Sequence, residues 1–190
     1  MALAFCFTAT AQGSGYTDSM QAFRNNYVKG HGVVKDKEQA FLRFFPIDKN
    51  YIVIADFQKI YDAPWFKMET SGKEKKIFRV YGILHFKLDN KSFTLQVYQS
   101  QDLLSKPAYS NYLFLPFTDK TSGEESYENG RYIDLTIAEL EKDSYLIDFN
   151  KAYNPYCAYV RGVFNCPVPP KENDLDVQIR AGEMRFGKGH

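Results

Sequence analysis

Residues Ile77–Tyr98, I-F-R-V-Y-G-I-L-H-F-K-L-D-N-K-S-F-T-L-Q-V-Y, decide the fold. Phe78, Val80, Leu84, Phe86 and Leu88 alternate with Arg79, Tyr81, His85 and Lys87, a period of two that lines one face of a strand with apolar groups. Asp89-Asn90-Lys91 then turns the chain, after which Phe93, Leu95 and Val97 alternate with Thr94, Gln96 and Tyr98. Two such runs around a short polar turn form a β-hairpin.

Further strands are expected on both sides. Tyr51 to Phe57 places Tyr51, Val53, Ala55 and Phe57 on one face, and Pro64 to Gly72 holds one more strand ending in a turn. Downstream, strands are expected at Tyr112 to Thr118, Arg131 to Leu135 and Ser144 to Phe149, separated by turn residues such as Thr121-Ser122-Gly123 and Glu128-Asn129-Gly130. Helix is scarce. Thr17 or Asp18 can cap a helix with Met20, Phe23 and Tyr27 on one stripe and Gly30 at its end. Asp36 and Gln39 resemble a capping pair ahead of a short second turn of helix. The pattern predicts a mainly β (β-rich α+β) domain. Its antiparallel sheet curls into a barrel-like or sandwich form, with a short N-terminal helix and a long irregular C-terminal segment. No internal repeat or linker divides it, so residues 12–190 read as one domain.

Residues Ala2 to Thr10 are uncharged and largely apolar, and Ala9-Thr10-Ala11 resembles a small-x-small cleavage site. Residues 1–11 therefore read as a signal peptide lacking its positive n-region, which places the mature chain in the periplasm or outside the cell. No window reaches the roughly 18 apolar residues of a membrane span, so no membrane insertion is expected. Lys plus Arg (24) nearly balances Asp plus Glu (23), which argues against nucleic acid as a partner. The charge is uneven, with acids concentrated in Glu124 to Asp148 and bases in Lys59 to Lys91, as two solvated faces would require. The three histidines, His31, His85 and His190, show no zinc spacing, and no calcium loop, nucleophile elbow, phosphate loop or dinucleotide fingerprint occurs. No metal and no cofactor is expected.

The polar and aromatic residues that could meet a ligand fall in two places. One is the irregular run Asp148 to Asn173, with Asn150, Tyr153, Asn154, Glu172 and Asn173; the other is the turn region carrying Asp119, Glu125, Tyr127 and Arg131. Rings supply stacking area while Asn, Asp, Glu and Arg fix orientation, the usual make-up of a small-molecule or sugar site. A cleft between the two segments is the first expectation. A hydrolase using paired carboxylates among Asp119, Glu125 and Glu172 is the second, and a structural or partner-binding domain without such a site is the third. Against all ligand readings stands a bland one, in which Arg131 pairs with a carboxylate and the Asn side chains cap turns. Cys157 and Cys166, nine apart around Gly162, suit a disulfide in an exported protein, with free thiols as the alternative.

Two motifs carry a resemblance to a known family. One is P-F-T-D-K-T-S-G-E-E-S-Y-E-N-G-R-Y-I-D-L at Pro116 to Leu135. The other runs from D-F-N-K-A-Y-N-P-Y-C-A-Y at Asp148, through C-P-V-P-P-K-E-N-D-L, to I-R-A-G-E at Glu183. Together with Arg43-Phe44-Phe45-Pro46 and Thr70-Ser71-Gly72, they make the chain similar to the bacterial family catalogued as domain of unknown function 1684. The resemblance implies no activity and no catalytic residue. It implies that the cysteine pair occurs in cytosolic as well as exported relatives, which keeps a thiol role open beside the disulfide.

Overall fold

A computed structural model describes residues 14–142 and 144–188; the expected signal peptide at 1–11 and His190 lie outside them. Eight strands form the sheet: β1 Ile52–Lys59, β2 Phe66–Met68, β3 Lys76–Leu88, β4 Lys91–Ser100, β5 Tyr112–Asp119, β6 Arg131–Thr136, β7 Tyr145–Asp148 and β8 Asp174–Leu175. They run in the order β6-β5-β4-β3-β1-β7, with β2 added to β3 and β8 to β5. Every pairing is antiparallel except β5 with β8. The sheet curls into a half-barrel, as the alternation and turn spacing predict. The expected strands at Tyr51, Tyr112, Arg131 and Ser144 all form, within two residues of the predicted ends. Two-residue β8, inside the irregular segment, has no sequence signal.

The β3–β4 hairpin closes with Leu88 opposite Lys91, and both loop residues, Asp89 and Asn90, have positive φ (50° and 61°). That is the type I′ turn whose twist matches the strands. Further down, the register slips. Val80 faces Tyr98 but Gly82 faces Val97, so Tyr81 is an extra residue in β3. A bulge of one residue moves every later side chain to the other face. The expected single stripe of Phe78, Val80, Leu84, Phe86 and Leu88 is therefore split. Leu84, Phe86 and Leu88 enter the main core, and Tyr81, expected on the polar face, joins them. Phe78 and Val80 pack on the opposite side. Gly82 suits the bend because a Cβ there would lie 2.2 Å from the Phe57 ring.

The sheet has two apolar faces, and the bulge lets β3 contribute to both. The inner one packs Leu84, Leu95, Val97, Leu113, Leu115, Phe117, Ile133, Leu135 and Phe149 into the main core, closed by Ile179 and Ala181 of the C-terminal segment. The outer one carries Met68, Phe78, Tyr98, Phe114 and Tyr132. Helix α1, Ser14–Gly30, lies beside this outer aromatic cluster. It starts three residues before Thr17, and of the expected stripe Met20, Phe23 and Tyr27, Met20 is buried and Tyr27 half-buried, while Arg24 is buried in place of Phe23. Arg24 donates to the Phe45 carbonyl at 2.8 Å and its guanidinium lies over the Phe44 ring, whereas Phe23 is 40% exposed. The second helical turn is a 3-10 helix, Asp36–Phe41, without the expected side-chain cap, because Gln39 donates to the Val28 carbonyl instead.

Strands β4 and β5 pair in register only at Tyr98 and Phe114. Pro116 has no N–H to offer β4, so a plain ladder cannot continue there. Asn173 fills the gap. Its Oδ1 accepts from the Gln96 N–H at 2.8 Å, and its Nδ2 donates to the carbonyls of Gln96 and Pro116 at 2.9 and 2.7 Å. A fully buried side-chain amide thus stands in for a missing stretch of strand.

Candidate functional site

The outer aromatic face is the floor of a cleft of about 910 Å³. Phe78, Phe114 and Tyr132 line it from the sheet, Tyr27 and His31 from the end of α1, and Tyr156 and Phe164 from the irregular segment. The rings meet at steep angles. Phe114 and Tyr132 have centroids 4.6 Å apart at 76°, and Tyr132 and Tyr153 are 5.9 Å apart at 88°. Edge-to-face pairs of this kind hold each ring in one orientation. A second groove, about 1060 Å³, runs along Asp48–Ile54 and the tip of the β3–β4 hairpin; His85 lies there, exposed, with Nε2 3.0 Å from Gln58.

Asp134 is the distinctive group in the cleft. It sits on β6 between Ile133 and Leu135, whose side chains face the main core, so strand alternation turns Asp134 outward beside Tyr132. Tyr112 and Tyr153 both donate to its Oδ1, at 2.8 and 2.6 Å. Crowding by the cleft walls raises the carboxyl above its usual range, and the Tyr153 and Tyr112 bonds pull it partly back. Burial, with Asp134 next, holds the Tyr112 hydroxyl well above its ordinary value; burial and then Tyr112 do the same for Tyr153. Both hydroxyls stay protonated and donating.

Behind the helix wall lies a fully buried acid. Glu183 is fully buried and accepts from the Asn154 N–H at 2.9 Å, Tyr27 OH at 3.0 Å and Tyr159 OH at 2.7 Å. Burial outweighs those bonds and raises it from 4.5 to about 7. The native state therefore keeps a proton that the unfolded chain releases. Its contribution to stability is complete below about pH 4.5 and disappears as pH rises through about 7, a decline on the order of 3 kcal/mol. Urea unfolding of the protein and of Glu183→Gln across that window is expected to show this slope only where Glu183 is present. Next to this cluster, His31 accepts at Nδ1 from the N–H groups of Val34 (2.8 Å) and Val33 (3.3 Å), so its proton sits on Nε2. Burial, then Lys35, lowers its pKa and keeps the ring neutral.

Of the nine residues expected to bind ligand, Tyr153 alone lines the cleft. Asp119 and Arg131 are fully buried as an ion pair at 2.5 Å on the core side of the sheet. Arg131 also donates to the carbonyls of Ile179, Ala181 and Glu183, tying the C-terminal segment to β6. Tyr127 is buried in a satellite cluster with Leu42 and Phe186, and its oxygen accepts from Asn129. Glu125 pairs with Arg180 at 2.9 Å on the surface, and Glu172 is exposed. Asn150 bonds the Asp48 backbone and Asp148, Asn154 donates to the Met184 carbonyl, and Asn173 bridges β4 and β5. Neither of the two clefts described takes residues from both the Asp148–Asn173 and the Asp119–Arg131 segments. The physical reason is that Asn and Arg satisfy buried backbone groups as readily as they meet a ligand. Asp134, Tyr112, Tyr132 and His31 were missed. The available signal was parity: an acid and a tyrosine on the face of β6 opposite Ile133 and Leu135.

Cys157 and Cys166 lie at disulfide distance, Sγ–Sγ 2.16 Å, and Cys166 lines the cleft. Ser71 Oγ is 2.9 Å from Cys157 Sγ and accepts from the Cys166 N–H, which fastens this loop to the turn after β2. Among the described residues no cluster of His, Cys, Asp and Glu could hold a metal ion, and no helix is long and apolar enough to cross a membrane.

Fold and cleft together define a mainly antiparallel half-barrel with an aromatic pocket on its outer face. The chain belongs to the family described as protein of unknown function (DUF1684), which matches residues 38–184. It is similar to the solution NMR structure of the uncharacterized protein from gene locus rrnAC0354 of Haloarcula marismortui. That likeness has 29% identity and a TM-score of 0.66, and covers 90% of this chain and 95% of the other. No curated protein matches the chain.

Proposed function

We propose that this protein is a small-molecule binding module, acting in the periplasm or outside the cell, whose site is the aromatic cleft on the outer face of the sheet. One observation carries the reading. A concave, ring-lined space of about 910 Å³ holds a carboxylate that two tyrosines fix in place at its floor. Apolar walls with a few oriented polar groups are the ordinary composition of ligand sites. The paired Cys157 and Cys166 support an oxidising compartment, where such bonds persist. Backbone NMR titration with indole, a planar apolar probe, tests the site. Shifts are expected to gather at His31, Tyr132 to Asp134 and Tyr153 to Tyr156. Shifts confined to the groove along Asp48–Ile54, or none at millimolar indole, would refute it.

A further inference from the structure

Asp134 is only half used by the protein. Both tyrosine hydroxyls go to Oδ1, and Oδ2 accepts no hydrogen bond from any described residue. The side chain is nonetheless open to the cleft, not sealed in the core. No lysine or arginine among the described residues comes within ion-pair distance of it. Asp134 is exposed to the cleft, clamped at one oxygen and without a counter-ion, so its second oxygen presents an unpaired charge to whatever enters. Around it stand Tyr112, Tyr132 and Tyr153, with Phe114 against Tyr132. Aromatic faces carry negative potential and attract cations placed over them. A free acceptor, the negative charge of Asp134 and several ring faces at one spot are the chemistry of an ammonium site.

We propose that the cleft takes an organic cation, its ammonium group seated against Oδ2 of Asp134 among the rings of Tyr112, Tyr132 and Tyr153. This rests on the cleft being the ligand site, and adds the charge of the ligand. The clamp explains the geometry: with Oδ1 held by two donors, Oδ2 faces the ligand in one orientation and loses little freedom on binding. A neutral donor could occupy the same place but would leave the charge uncompensated. The opposite preference, for an anion, would have to come from Lys76, Lys106 and Lys151 at the rim. Lys106 and Lys151 are exposed and hydrated, with Lys151 over the Phe23 ring at 6.0 Å, and the half-buried Lys76 makes no ion pair with Asp134.

Three probes of one shape separate the cases: 2-phenylethylammonium, 2-phenylethanol and 3-phenylpropanoate, titrated by calorimetry and NMR at neutral pH. The ammonium is expected to bind about tenfold or more tighter than the alcohol, with the carboxylate weakest. Asp134→Asn keeps an oxygen for the two tyrosines and removes the charge. It is expected to erase the preference for the cation over the alcohol. Should that variant fail to fold, the Asp134 carboxyl ¹³C shift of the unaltered protein gives the same answer, moving with the ammonium and not with the alcohol. Equal affinity for all three overturns the cation assignment and leaves the cleft as a site. Preference for the propanoate overturns it in favour of the rim lysines. If none of the three perturbs the cleft, the assignment fails; whether the cleft reading fails with it is decided by the indole titration.

Discussion

Replacing Arg131 with methionine is expected to lower stability by roughly 3–5 kcal/mol, the cost of breaking a buried ion pair by removing one partner. The effect is large for two reasons. Asp119 is left fully buried without its partner, and the carbonyls of Ile179, Ala181 and Glu183 lose their donor together. Burial lowers the Arg131 pKa and Asp119 opposes that shift, so the guanidinium depends on its partner. Lysine is expected to fare little better, since one ammonium cannot reach a carboxylate and several carbonyls from a planar fork. Pairing Arg131→Met with Asp119→Leu is expected to recover part of the loss, because the stranded charge goes. Urea midpoints at constant m-value measure all three variants. A single-variant cost under about 1 kcal/mol would show that Arg131 does not anchor the C-terminal segment.

Asn173→Ala is the second large effect, on the order of 3 kcal/mol. Each buried group left without a partner costs about 1–3 kcal/mol. The N–H of Gln96 and the carbonyls of Gln96 and Pro116 are stranded at once, between strands that pair in register only at Tyr98–Phe114. The loss has an address as well as a size. Hydrogen exchange at the Gln96 amide is expected to accelerate more than at Leu84 or Leu95, which the β3–β4 ladder holds independently. Asn173→Asp keeps the acceptor and loses both donations, so it is expected to protect the Gln96 amide without restoring stability. Uniform acceleration along β4 would refute the bridging role.

Much of the fold is legible from residue order, because alternation and turn chemistry act locally. The Asp89-Asn90 turn and the strands at Tyr51, Tyr112 and Arg131 follow from nearest neighbours alone. The bulge at Tyr81 does not. Gly82 interrupts the alternation, but one interruption leaves apolar residues at the same sequence parity, and only the pairing with Val97 and Tyr98 reveals the change of face. The site is less legible for the same reason. Asn150, Asn154 and Asn173 satisfy backbone groups distant in sequence, and their spacing is the same whether an amide meets a carbonyl or a ligand. Asp134 becomes conspicuous only when β3 supplies Phe78, and β5 Tyr112 and Phe114, to the surface on which it stands. The motif similarity located the family without locating the chemistry.

The extra residue in β3 has an evolutionary consequence. Within β3 it separates Leu84, Phe86 and Leu88, which hold the interior together, from Phe78, which lines the cleft. Position 78 can change while Leu84, Leu95, Leu115 and Ile133 go on packing as before. A lineage carrying this kink can therefore vary the outer end of this strand without renegotiating how it folds.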